Sequence, residues 1–119
     1  MRVLITGCST GFGREAAIEL ARRGHEVVAT ARRPETLADL DVALKLALDV
    51  DSDESVSEAV AQAAEIDALV NNAGWSAHGP IEKVPLQAVR RMLETTFFGA
   101  GRMIQAVVPK QRARQIGWI

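Results

Sequence analysis

Three glycines stand between an apolar run and a helical pattern in Ile-Thr-Gly-Cys-Ser-Thr-Gly-Phe-Gly-Arg-Glu, residues 5–15. Gly7, Gly11 and Gly13 leave the backbone N–H groups there uncovered, and the start of a helix adds the positive end of its dipole, so that a phosphate can approach the chain closely. The steric alternative is that the glycines only permit a tight strand-to-helix turn with positive φ. Two other polar groups stand at equivalent junctions: Arg32-Arg33 after a second apolar run, and Asn71-Asn72-Ala73-Gly74 after a fourth. Cys8 is the only cysteine and His25 and His78 are the only histidines, so neither an internal disulfide nor a zinc-type ligand cluster is expected. Cys8 is read as a small packing residue, and Trp75, Ser76 and His78 as loop residues on the ligand side of a sheet.

The elements that must position these residues follow from periodicity. Short, almost wholly apolar runs predict strands at Val3–Thr6, Glu26–Ala31, Leu44–Val50 and Asp67–Asn71. Between them, the 3.6-residue pattern Ala16, Ala17, Leu20, Ala21 predicts a helix over Phe12–Arg23 ended by Gly24. A short helix opens near Pro34. Another is capped by Asp51 or Ser52, with Glu54 placed to complete a capping box, and runs to about Glu65. From Pro85 a long helical region carries Val89, Met92, Leu93, Phe97, Ala100, Met103, Ile104 and Val107 on one stripe, with a bend expected near Gly99, Gly101 or Pro109. Glycines at 99 and 101 suggest that something packs closely there. Strands alternating with helices imply an α/β, Rossmann-like doubly wound parallel sheet of about four or five strands, with strand one between strands two and four.

Thr6-Gly7-x-x-x-Gly11-x-Gly13 after strand one, taken with Asn71-Asn72-Ala73-Gly74 after strand four, resembles the short-chain dehydrogenase/reductase family over essentially the whole chain. The first motif alone differs from the Gly-x-Gly-x-x-Gly fingerprint of other dinucleotide sites, and the pair makes the resemblance specific. The resemblance implies that Gly7, Ser9, Thr10, Gly11, Phe12 and Gly13 wrap the ribose and pyrophosphate of a nicotinamide cofactor. Asn71, Ala73 and Gly74 would line its adenosine side, with asparagine amides bracing the central strands. Asp49 would accept from the adenine amino group beside Val50, or cap a helix, or both. Arg32 and Arg33 occupy the place where an acidic residue would read a free 2'-hydroxyl and an arginine a 2'-phosphate, so NADP is favoured over NAD. Rossmann-like transferases that bind another adenine ligand are a more distant reading.

The same resemblance implies a catalytic tyrosine, a lysine four residues after it and a serine after strand five. The chain has no tyrosine, and no serine follows Ser76. No catalytic residue is therefore assigned. Thr96 stands where the family tends to place an asparagine at a helix bulge that supports a proton relay. The expectation is a truncated dinucleotide-binding domain over 1–119, an NADP-dependent oxidoreductase by descent and inactive alone; the alternative is a non-catalytic nucleotide-binding or assembly module. A strand-four edge left without a fifth strand, unless Gln115 to Ile119 fold back to cover it, and the apolar long helix predict a homo-oligomer through one or both. The formal net charge of -1 argues against a nucleic-acid partner. No apolar run approaches a membrane span, and Val3-Leu4-Ile5 is too short for a signal-peptide core, so a cytoplasmic location is expected.

Overall fold

A computed structural model describes all 119 residues. Four parallel strands, β1 (Arg2–Ile5), β2 (Glu26–Ala31), β3 (Leu44–Ala47) and β4 (Ala68–Val70), form one sheet in the order β3-β2-β1-β4. Leu4 lies opposite Val28 on one side and Leu69 on the other, which puts the central strand where the crossover argument expects it. Because side chains alternate across a strand, Leu4, Val28, Leu46 and Leu69 face one core while Val3, Ile5, Val27 and Ala29 face another. Helix α1 (Gly11–Arg22) covers the second face through Ala17, joined by Leu37 of the 3-10 turn Pro34–Leu37. The first face is closed by α2 (Asp53–Ala63), through Val56, Ala59 and Val60, and by α4 (Gly99–Arg114), through Met103 and Val107. Leu4 is wholly buried, and truncating such a residue to alanine costs about 2 to 5 kcal/mol.

Several elements differ in detail from expectation. The strands at 44–50 and 67–71 are shorter, and α2 stops at Ala63, where Ala64 takes φ 61°. Ser52, not Asp51, caps α2: its hydroxyl accepts the Ser55 N–H at 3.2 Å, so Glu54 forms no capping box. The long helical region is α3 (Leu86–Leu93), a π-helical segment at Glu94–Phe98, and α4. The irregularity thus precedes Gly99 and includes Thr96. Gly99 is pressed on the segment that follows β3, where a Cβ would stand 2.7 Å from Val50 Cγ2, while Gly101 has nothing within 4 Å. Only the first of the two glycines marks a close approach.

The outer edge of β4 is partly covered. Gln115 adopts the left-handed conformation at φ 56°, and the chain turns back so that Trp118 donates to Asp67 O and accepts from the Leu69 N–H, both at 3.0 Å. The buried Gln111 amide fastens the return, donating to Asp67 O at 3.2 Å and Trp118 O at 3.4 Å. Unpaired edge groups take the first backbone that reaches them. Of the two outcomes expected for the strand-four edge, the one in which the last residues cover it applies over residues 67–69.

Candidate functional site

Residues that follow the carboxyl ends of all four strands meet in one cleft of about 830 Å³. Gly7, Ser9, Thr10 and Phe12 line it after β1, Arg32 after β2, Asp49 and Val50 after β3, and Ala73, Gly74 and Trp75 after β4. In an open parallel sheet the helices leave to opposite faces on either side of β1, which opens this crevice between its loop and that of β4. Phe12 is 91% exposed at the cleft, a large apolar side chain with no protein partner for most of its surface.

The glycine turn is held by contacts that its motif spacing does not display. Thr6 is 1% exposed, and its hydroxyl oxygen accepts the backbone N–H groups of Asn72 and Ala73, both at 2.9 Å. The Asn72 amide in turn donates to Thr6 O at 2.9 Å and Gly7 O at 3.0 Å. Those four bonds lock the loop after β4 to the loop after β1. Gly13 makes this possible, because a Cβ there would lie 2.3 Å from Asn72 Nδ2 and 2.5 Å from Gly7 O. Gly7, at φ 73°, likewise faces Ala73, whose Cα would be 2.9 Å from an added Cβ. The first turn of α1 can therefore lie directly beneath the cleft with its N–H groups unobstructed.

Of the residues expected to hold the cofactor, Gly11, Gly13, Arg33 and Asn71 do not line the cleft. Gly13 is buried behind it, and Gly11 (φ 63°) has open space around it. Asn71 is exposed, while its neighbour Asn72 does the bracing. Thr6 and Asn72 were within the quoted motifs but carried no separate role; a threonine hydroxyl beside two consecutive backbone N–H groups is visible only once the strands are paired.

Asp49 holds a local turn, its Oδ1 accepting the Asp51 N–H at 3.1 Å. Opposite it, the π-helical segment is fixed from two sides: Thr95 Oγ1 donates to Asp51 Oδ2 at 2.9 Å, and Thr96 Oγ1 donates to Trp75 O at 3.3 Å. Arg102 ties the same region together, with Nε on Asp53 Oδ1 at 2.7 Å and a further nitrogen on Glu94. Arg32, by contrast, is exposed and has no ion pair, although six other arginines do. Cys8 is buried beneath the turn with its thiol donating to Ile5 O at 3.3 Å, and burial pushes its pKa up to about 11. That suits packing and not nucleophilic work. Ser76 and His78 form an exposed pair, Oγ to Nε2 at 2.7 Å, with no third group to orient the ring.

The arrangement resembles known proteins across its whole length. Residues 1–119 match the family described as short chain dehydrogenase. Retinol dehydrogenase 8 of Bos taurus is 42% identical over 98% of this chain, which spans 42% of that protein. Among solved structures, the closed form of serine dehydrogenase complexed with NADP+ superposes with a TM-score of 0.90 at 34% identity, over 98% of this chain and 51% of the other. The 3-ketoacyl-(acyl-carrier-protein) reductase of Brucella melitensis complexed with NADH gives 0.88 at 28% identity, over 97% and 53%.

Proposed function

The chain belongs to the short-chain dehydrogenase family, which uses nicotinamide dinucleotides, and from that premise we propose that its 119 residues are a dinucleotide-binding domain that prefers NADP(H). The observation that carries the preference is Arg32, exposed and unpaired in the cleft at the end of β2, where the adenosine ribose is read in folds of this kind. The glycine turn at the N-terminus of α1 supplies N–H donors for the pyrophosphate, and Asp49, Val50, Ala73 and Gly74 flank the adenosine. One relative structure holds NADP+ and another NADH, so the choice depends on this chain's own residues.

A charge-assisted hydrogen bond contributes about 1.5 to 3 kcal/mol, equivalent to roughly a tenfold or larger advantage for NADPH over NADH. Calorimetric titration with both cofactors tests this, and Arg32→Asp should shrink or reverse the difference. Equal affinities in the unaltered chain, or tighter NADH, would refute the preference. These 119 residues hold no tyrosine to give or take the substrate proton, and acid-base catalysis of that kind is worth about 100- to 10,000-fold. The isolated chain is therefore expected to bind cofactor without carbonyl-dependent NADPH oxidation.

The same reading includes a cytoplasmic homo-oligomer. Its support is the π-helical segment and its surroundings, where Phe97 and Phe98 stack edge to face with centroids 5.3 Å apart while both remain exposed. Trp118 already covers part of the β4 edge, which shifts the expected contact to the helix face. Light scattering giving a mass of 12.8 kDa at high micromolar concentration would rule this out.

A further inference from the structure

Helix α3 carries two consecutive arginines, and only one belongs to the cleft. Arg91 lines it and Arg90 does not, as the 100° step between neighbouring helical residues requires. Arg91 is exposed and, like Arg32, is without an ion pair. That is unusual for its surroundings, because Asp49, Asp51 and Glu94 all line the same cleft. Each has one oxygen engaged elsewhere, Glu94 with Arg102, Asp51 Oδ2 with the Thr95 hydroxyl and Asp49 Oδ1 with the Asp51 N–H, and none forms an ion pair with Arg91. The guanidinium is left available in a part of the cleft where three carboxylates repel a phosphate. What suits both conditions is a flat, neutral ring that a guanidinium can cover, in a cleft that the apolar Val50 also lines.

We propose that Arg91 is a nucleotide-binding residue whose guanidinium lies on the face of the adenine ring, separate in role from the phosphate-reading Arg32. This rests on the dinucleotide reading of the cleft. A cation-π contact of this kind corresponds to about a threefold to tenfold change in affinity. Adenine is common to NADPH, NADH and adenosine, and adenosine has no phosphate, so removal of Arg91 must weaken all three alike, whereas removal of a contact to the 2'-phosphate weakens NADPH alone.

Trp75 lines the cleft, so quenching of tryptophan fluorescence by NADPH, NADH and adenosine reads occupancy directly. Arg91→Ala is expected to lower the affinity of all three by the same threefold to tenfold factor, with Arg90→Ala unchanged and with far-UV circular dichroism of both variants that of the parent. Unaltered affinities in Arg91→Ala overturn the proposal. So does a loss confined to NADPH, which would make Arg91 a second phosphate reader, or an equal loss in Arg90→Ala, which would mean long-range charge and no contact with the base. Failure of the parent chain to bind any of the three would remove the dinucleotide reading itself, a result distinct from each of these.

Discussion

Thr6→Val removes one oxygen and keeps the shape of the side chain. In the parent that oxygen accepts two N–H groups, from Asn72 and Ala73, and it is almost fully enclosed. Leaving a buried donor without a partner costs about 1 to 3 kcal/mol, and both donors lie in a partly buried turn, so their joint loss is set at about 2 to 4 kcal/mol. The added methyl returns under about 1 kcal/mol. The net effect, about 2 to 3 kcal/mol, is a large part of the stability of a domain this size and corresponds to a fall in Tm of about 10 °C. Thr6→Ser keeps the oxygen and loses only a methyl, at about 1 kcal/mol. Urea unfolding followed by circular dichroism compares the three proteins, provided the slope with denaturant is unchanged. If the valine variant proves as stable as the serine variant, the hydroxyl does not hold the two loops together, and the account of how the cleft is built is wrong.

Gly13→Ala should destabilise by about 1 to 3 kcal/mol and also weaken nucleotide binding, because its methyl would collide with Asn72 and Gly7 and push α1 from beneath the cleft. Gly11→Ala, with open space but positive φ, should cost about 1 kcal/mol; thermal melts giving the reverse order would contradict the packing role. The Cys8 thiol, raised from 9.0 to about 11, keeps its proton in the folded chain where the unfolded chain has lost it, so stability should fall as pH rises from about 9 through 11. Cys8→Ala should flatten that decline in pH-dependent unfolding, and an unchanged slope would assign it to other groups. Native Cys8 should also resist thiol reagents at pH 8 until the protein is unfolded.

Much of this was legible in the sequence because the signals are local. Strand order followed from apolar runs alternating with helical periods, and the site from the glycine turn and Arg32, each at the carboxyl end of a strand. What was not legible depends on contacts between distant segments. Asn71 and Asn72 are the same residue type in an extended stretch, where successive side chains face opposite ways; only register with β1 decides that Asn72 reaches Thr6 and Gly7. Thr6 reads as a strand residue until β4 is paired beside it. Ser52 and Asp51 are both good caps, and the choice between them depends on where the chain leaves β3. The seat of Trp118 against Ala68 needs the left-handed Gln115 and the Gln111 amide, neither of which a local pattern displays. Arg90 and Arg91 look alike until α3 is set against the cleft.

The central claim is that the glycine turn, Arg32 and the loop after β4 form one dinucleotide site in this chain. Amide chemical-shift mapping during titration of the 15N-labelled chain with NADP+ tests it most directly. Saturable shifts are expected at Gly7, Ser9, Thr10, Phe12, Arg32, Asp49, Val50, Ala73 and Gly74, while Gly24, Glu26 and Ala64 at the opposite end of the sheet stay fixed. An absence of shifts at millimolar NADP+, or shifts gathered at that opposite end, would contradict it.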